Sequence, residues 1–249
     1  MSRSLADLPL VEAAALPALS RGQMADVDRI AVEVFGLGLL QMMENAGLWL
    51  AETVRLYLGG SVAGREIAIG CGKGNNGGGG LAAARRLSIW GASVTVVVAA
   101  PLEVLAPGPA AQLRVLRRSA VPVQPFDGTL PAHDILVDAI VGYNLHGALT
   151  GAAADAVEAL NASGAGVIAL DLPSGVDADT GAAQGLAVRA TATVTLALPK
   201  AGLLAESARG HVGQVLLADI GIPDAVYREA GIPAPPGVFS SGPLVRVRV

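Results

Sequence analysis

Cysteine is almost missing from this chain of 249 residues, where Cys71 stands alone. One thiol cannot form an intrachain disulfide or a multi-cysteine metal site. It fits a reducing compartment, and a cytoplasmic location is expected on that ground. Aromatic residues are scarce at 3%, so the core has to be built from Ala, Val, Leu and Ile, within an apolar share of 52%. Charge is sparse too, at 15%, with a formal net charge of −4. That balance gives no general attraction to nucleic acid or to an anionic membrane, so neither is expected as a partner. No apolar run reaches the roughly 18 residues of a transmembrane helix. The start of the chain is apolar but broken by Asp7, Pro9, Glu12 and Pro17. A signal peptide needs an unbroken apolar stretch there. Residues 1–18 therefore read as a loosely ordered extension.

Glycine is what the chain has in quantity, and it is densest in Gly70-Cys71-Gly72-Lys73-Gly74-Asn75-Asn76-Gly77-Gly78-Gly79-Gly80. The apolar run Ile67–Ile69 precedes this stretch and reads as a buried strand. Leu81–Leu87 follows and reads as a helix. A glycine turn between strand and helix presents backbone N–H groups at the positive end of a helix, which suits an anion such as phosphate. The same density predicts positive φ angles in the turn. A tight structural turn without a ligand is the alternative. Gly72, Gly74 and Gly77 spell G-x-G-x-x-G, yet the next strand ends without the acid of a dinucleotide fingerprint, the first being Glu103. No Gly-Lys-Ser/Thr follows, so the ATP-binding P-loop is excluded as well. The paired amides Asn75 and Asn76 can bind a cation through oxygen or a polar ligand through both ends.

Ser20 and Gln23 match a capping box and predict a helix from there to about Val34. A second helix is expected over about 39–58, stopped by Gly59-Gly60. Within it, Glu44 and Asn45 read as part of a solvated face. From Glu66 onward, apolar runs near 67–69, 94–98, 121–123, 135–138, 167–171, 191–196 and 214–218 alternate with helical segments near 81–90, 108–118 and 151–162. Continuous apolar runs are the mark of strands buried on both faces. The alternation predicts an α/β fold, a Rossmann-like three-layer αβα sandwich with a mostly parallel sheet. Residues 19–225 would form this domain. Residues 226–249 form a proline-rich tail whose closing Val-Arg-Val-Arg-Val reads as an edge strand or as disorder.

Ligands of open α/β sheets bind beyond the carboxyl ends of the strands. Four polar loops leave strands there, at 71–80, 138–147, 171–181 and 198–202. Asp138 and Asp171 each end an apolar strand, where a carboxylate either caps loop N–H groups or serves a function. Asp138, Ser174 and an Asn76 amide would make an all-oxygen set suited to a hard cation, and one carboxylate among neutral oxygens favours a monovalent ion. Lys200 either holds a phosphate, pairs with an acid or is a surface lysine. His146 is the histidine within these loops and reads as solvated. Asp177 and Asp179 read as turn acceptors.

The ordered series of motifs resembles the NAD(P)H-hydrate epimerase family, the YjeF N-terminal domain. It runs from Gln23-Met24 and Asp28 through Met43-Glu44-Asn45-Ala46-Gly47 and Gly72-x-Gly74-Asn75-Asn76-Gly77-Gly78. It continues in Val137-Asp138-Ala139-Ile140, Asp171-x-Pro173-Ser174-Gly175-Val176-Asp177 and Pro199-Lys200-x-Gly202-Leu203, and closes in Ala218-Asp219-Ile220-Gly221-Ile222-Pro223. The resemblance implies an isomerase that interconverts the epimers of hydrated NADH and NADPH, NADHX and NADPHX, for nicotinamide nucleotide repair. It implies a homodimer, bound potassium and a separate dehydratase acting downstream. Potassium would be held by Asn76, Asp138 and Ser174. Substrate would be contacted by Asn75, Asn76, Gly77, Gly78 and Gly79, by Gly142, Tyr143, Asn144, Leu145, His146, Gly147 and Ala148, and by Asp171. Asp171 would be the catalytic acid/base. Two departures stand out. Gly79 replaces an acid usual in the family's Asn-Asn-Gly-Gly-Asp-Gly, so Gly79→Asp is expected to raise activity. Gly142-Tyr143-Asn144 replaces a smaller segment. A non-catalytic nucleotide-binding or scaffold module derived from the family is the alternative, and a different small-molecule enzyme on the same scaffold is a third reading.

Overall fold

The computed structural model describes residues 4–233 and 237–249. Residues 1–3 and 234–236, which belong to the expected extension and tail, lie outside the described residues. Nine strands form one sheet: β1 (Leu10–Glu12), β2 (Glu66–Cys71), β3 (Ser93–Val98), β4 (Val123–Pro125), β5 (Ile135–Ala139), β6 (Val167–Leu170), β7 (Ala192–Leu196), β8 (Gln214–Ala218) and β9 (Leu244–Arg248). Their order is β1-β9-β8-β7-β6-β5-β2-β3-β4. Every pairing is parallel except β8 with β9. The helices are α1 (Arg21–Glu33), α2 (Leu39–Tyr57), α3 (Asn75–Ile89), α4 (Pro107–Leu116), α5 (Gly151–Ala162), α6 (Arg209–Val212) and α7 (Asp224–Glu229).

Alternate strand residues face opposite layers, as the two-residue period of a strand requires. Ile67, Ile69 and Cys71 of β2 pack with Leu50 and Val54 of α2 and Leu81 and Leu87 of α3. Ala68 between them packs with Val157 and Leu160 of α5 on the other side. The result is the expected three-layer αβα sandwich. The chain runs from β2 outward to β3 and β4, then returns to lay β5 along the free side of β2. The loops after β2 and β5 therefore leave adjacent strands toward opposite layers, and a crevice opens between them.

Three segments differ from expectation. Residues 4–18 are tied down: Leu5, Leu8 and Leu16 are buried, and β1 pairs in parallel with β9. Arg246 reinforces this through its N–H to the Pro9 carbonyl at 2.7 Å and its Nε to the Leu8 carbonyl at 3.1 Å. The closing Val-Arg-Val-Arg-Val is the strand β9, with β1 outside it. The glycine stretch is not an extended turn either. Helix α3 begins at Asn75, and Gly77, Gly78, Gly79 and Gly80 are buried inside it. None of the glycines from Gly70 to Gly80 has a positive φ.

Glu44 is no solvated bystander. It accepts hydrogen bonds from Arg85 and Arg86 of α3, the latter at 3.0 Å, and from Gln112 of α4 at 2.9 Å. Asn45 beside it donates to the Ile220 carbonyl at 3.0 Å. Partial burial alone would raise the Glu44 carboxyl, but the Arg85 and Gln112 hydrogen bonds and the two guanidinium charges outweigh it, and the net shift is downward. A carboxyl lowered in the folded state adds stability above its unfolded range and loses it as pH falls. Glu44→Gln should therefore cost about 1–2 kcal/mol at pH 7 in urea unfolding, and the difference from the wild type should close below the ordinary glutamate range.

Candidate functional site

A cavity of about 690 Å³ opens at the carboxyl edge of the sheet, over the crevice between β2 and β5. Its floor and walls come from the loops after β2, β3, β5, β6 and β7 and from α1, α2 and α5. Helix α3 aims its first turn into it. Gly74 is the N-cap and supplies no capping side chain, so the free N–H groups of that turn face an opening where an anion fits.

The glycines are there for closeness. A β-carbon on Gly72 would come within 1.9 Å of the Ile140 carbonyl oxygen, and one on Gly77 within 1.9 Å of the Gly72 carbonyl oxygen. On Gly78 it would meet Met43 Sδ at 2.5 Å, and on Gly80 Ala139 Cβ and Cys71 Sγ at 2.7 Å. The bare helix thus packs backbone-close against β2, β5 and α2. Gly79 meets Leu170 Cδ2 at 2.7 Å. Leu170 is itself buried, so an acid placed at position 79 has no room without displacing it. The expected gain from Gly79→Asp therefore requires the Leu170 methyl to give way.

Asp171 ends β6 in the left-handed region, with φ of 69°. Such a conformation is costly for a residue with a β-carbon and is held by its surroundings. Its N–H bonds to the Val194 carbonyl at 2.8 Å. Its Oδ1 takes a short contact from Lys200 Nζ, and its Oδ2 accepts the Tyr143 N–H at 3.0 Å. Lys200 is 1% exposed, so of the three roles open to it the pairing with an acid is the one observed. It also donates to the Leu196 carbonyl at 2.9 Å. A buried pair survives only with such additional hydrogen bonds. The Tyr143 ring lies 5.8 Å from Lys200 Nζ, and its hydroxyl donates to Asp28 Oδ2 at 2.6 Å. Burial, and then the Asp28 charge, push the Tyr143 phenol up, so the hydroxyl stays a donor.

Asp138 is fully buried beneath the cavity. Its Oδ1 accepts from Ser174 Oγ at 2.6 Å and Ile140 N–H at 3.1 Å, and its Oδ2 from Ser174 N–H at 2.7 Å. Burial raises its carboxyl to about 6 against these hydrogen bonds. Every donor is neutral, so its charge has no cationic partner among the described residues. Asn76 reaches the loop after β5: its Oδ1 lies 3.1 Å, and Asp171 Oδ2 3.0 Å, from where a β-carbon on Gly142 would stand. The Asn76 Nδ2 is buried without a hydrogen-bond partner, which points to a ligand group beside it.

Of the residues expected at the substrate, Asn75, Asn76, Gly79, Gly142, Tyr143, Asn144 and Asp171 line the cavity. Gly77 and Gly78 pack behind it in α3. Leu145, His146, Gly147 and Ala148 continue the loop away from the lining. His146 is not merely solvated, because its Nδ1 sits 3.2 Å from Arg21 Nη1. Arg21 also pairs with Asp177, whose Oδ1 accepts from the Asp179 and Thr180 N–H groups as a turn acceptor. Asp28, Met24 and Met43 line the cavity without having been expected there. The helical period held the clue, since Asp28 lies one turn after buried Met24.

These features define a class first: a Rossmann-like α/β protein with a small-molecule cavity at its topological switch point, carrying a strained, ion-paired aspartate. The comparisons with known proteins narrow it. The family model described as YjeF-related protein N-terminus matches residues 39–202, and the chain belongs to that family. It is 42% identical over 228 residues to a protein named NAD(P)H-hydrate epimerase from Dehalogenimonas lykanthroporepellens, covering 90% of each. A protein of the same name from Rhodopirellula baltica is 35% identical over 235 residues, with 92% and 95% covered. The bifunctional NAD(P)H-hydrate repair enzyme Nnr of Moorella thermoacetica is 38% identical, across 82% of this chain and 40% of that one. The crystal structure of yeast ynu0 shares the fold, with a TM-score of 0.78 at 24% identity over 93% of this chain and all of that one.

The glycine packing yields a paired test. Gly77→Ala should cost about 3 kcal/mol of unfolding free energy, because backbone rather than a mobile side chain blocks the new methyl. Gly74→Ala, with nothing within 4 Å of the new atom, should cost about 1 kcal/mol or less as a weakened N-cap.

Proposed function

We propose that this protein is an NAD(P)H-hydrate epimerase. The observation that carries the reading is Asp171: a carboxylate fixed by Lys200 and by the Tyr143 N–H, turned toward the cavity that the open N-terminus of α3 also faces. That combination supplies a proton carrier beside an anion seat. The substrate is a nucleotide whose reduced nicotinamide ring carries an added hydroxyl on the carbon next to the ring nitrogen. The α3 turn holds phosphate oxygens, and Asn75 and Asn76 hold polar groups. Asp171 moves the proton as the hydroxyl leaves and returns through an iminium-like ring. Relatives of the same name along nine-tenths of the chain support the reading.

The donor set fits a monovalent cation. Asp138 and Ser174 provide one carboxylate, one hydroxyl and the adjoining Val141 carbonyl, which accepts from Ser174 Oγ at 3.2 Å. We assign potassium to Asp138 and Ser174, with Asn76 as the third expected ligand. When bound it would offset the unpaired Asp138 charge and brace the loops after β5 and β6. A homodimer and a downstream dehydratase complete the proposal. The exposed apolar side chains Val34, Phe35 and Leu40 at the α1–α2 turn supply surface for the former. The bifunctional name of the Moorella relative supports the latter. No helix among the described residues is long and apolar enough to cross a membrane, and we place the activity in the cytoplasm.

The deciding experiment follows exchange between the two separated hydrate epimers of NADPH by chiral chromatography. The wild type should accelerate it, and Asp171→Asn should lower kcat by about 10²–10⁴-fold. A folded wild type that leaves the uncatalysed rate unchanged defeats the proposal. Potassium chloride should raise the melting temperature more than choline chloride at equal ionic strength, by mass action on the folded state. Asp138→Asn should abolish that difference.

A further inference from the structure

Inverting a carbon that bears a hydroxyl involves two proton transfers, one at each face of the ring. The oxygen leaves from one face of the ring and returns to the other. A proton is delivered where it leaves and taken up where it returns, and a proton carrier on each side of the ring serves both halves. Asp171 is one.

Asp28 lies on α1 and lines the same cavity. It and Asp171 are held by the two ends of one residue: the Tyr143 hydroxyl donates to Asp28 Oδ2 at 2.6 Å, and the Tyr143 N–H donates to Asp171 Oδ2 at 3.0 Å. Among the described residues nothing donates a hydrogen bond to Asp28 Oδ1, which leaves that oxygen to a ligand in the cavity. No structural duty at the end of a helix or in a turn explains a carboxylate in the middle of α1, on the face of Met24 and Ala31.

We propose that Asp28 is a second catalytic residue of this cavity, giving and taking the proton of the ring hydroxyl from the α1 wall while Asp171 does so from the β6 side. The inference rests on the epimerase reading. In one direction the Asp28 carboxyl protonates the hydroxyl. The C–O bond breaks and its electron pair leaves with water, and the ring nitrogen lone pair forms the C=N bond of the iminium. Water then adds to the same carbon from the other side, the C=N pair returns to nitrogen, and Asp171 takes the proton. Asp28 is left ionised and Asp171 protonated, which is the starting state for the reverse direction. Exchange with water in the open cavity restores the first state.

The electrostatics agree. Burial raises the Asp28 carboxyl; the Tyr143 hydrogen bond and the Lys200 charge oppose this, and the Asp171 charge adds to it. Tyr227 of α7 also feels Asp28. Asp28 thus keeps its proton to higher pH than an exposed aspartate.

The test compares Asp28→Asn and Tyr143→Phe with the wild type across pH, reading kcat and KM for epimer exchange and the affinity for ADP-ribose by calorimetry. Asp28→Asn should lose about 10²-fold or more in kcat in both directions, keep its ADP-ribose affinity, and lose the alkaline limb set by Asp28. Tyr143→Phe, which removes a hydrogen bond that favours the Asp28 carboxylate, should move that limb to higher pH. An active wild type whose Asp28→Asn variant keeps kcat, or loses only KM, overturns this inference alone. A wild type that does not exchange the epimers overturns the epimerase reading and this inference with it.

Discussion

The structure turns on the approach of two backbones. Gly72 lies so close to the Ile140 carbonyl, and Gly77 so close to the Gly72 carbonyl, that no β-carbon fits at either place. This locks three things together: the end of β2, the start of α3 and the loop that leaves β5. The crevice at the switch point is therefore a rigid corner in which a helix N-terminus is held against the loop carrying Gly142 and Tyr143. A bulkier residue at either glycine would lift α3 off the sheet and carry its free N–H groups away from the loop. The tolerance is set by van der Waals radii, which leave no soft direction for relief.

From that corner the electrostatic arrangement follows. Asp138 and Asp171 stand at the ends of neighbouring strands β5 and β6, and each carboxylate is turned to a different use. Asp138 points inward and fastens the β6 loop through Ser174, at the cost of a buried charge facing neutral donors. Asp171 takes a left-handed backbone conformation and meets Lys200 on one oxygen and the Tyr143 N–H on the other. Breaking such a buried pair from one side strands the remaining charge, typically at about 3–5 kcal/mol. The pair is thus a weak source of net stability and a strong constraint on where the Asp171 carboxylate can sit.

Much of this was legible in the sequence. Continuous apolar runs located β2, β3, β5, β6, β7 and β8, because parallel strands buried on both faces leave no other pattern. Ser20 and Gln23 announced α1 through local hydrogen bonds that the structure contains. β1 was hidden because it has three residues and its partner β9 lies at the far end of the chain, so nothing local marks it. The glycine stretch departs from the turn its sequence suggests for a physical reason. Glycine is a poor helix former in isolation, yet here the packing needs side chains absent more than it needs helix propensity, and tertiary contact prevails. The polar contacts divide the same way. An acid at a strand end is visible in sequence, but its partner is not: Lys200 is 29 residues from Asp171, and Asp28 is 115 from Tyr143.

Gly79 and Tyr143, the two departures expected from the resemblance, line the same cavity. Position 79 faces Leu170 at the wall between α3 and β6. Tyr143, the other departure, reaches from the β5 loop across to α1 and joins the carboxylates of Asp28 and Asp171. One residue thus fixes two carboxylates that line the same cavity. Tyr143 does not block the cavity it enters; it lines the wall between the carboxylates and holds both in place. Asp28, Tyr143 and Asp171 therefore form one hydrogen-bonded unit, and the glycine-rich helix start presents its free N–H groups to the same cavity.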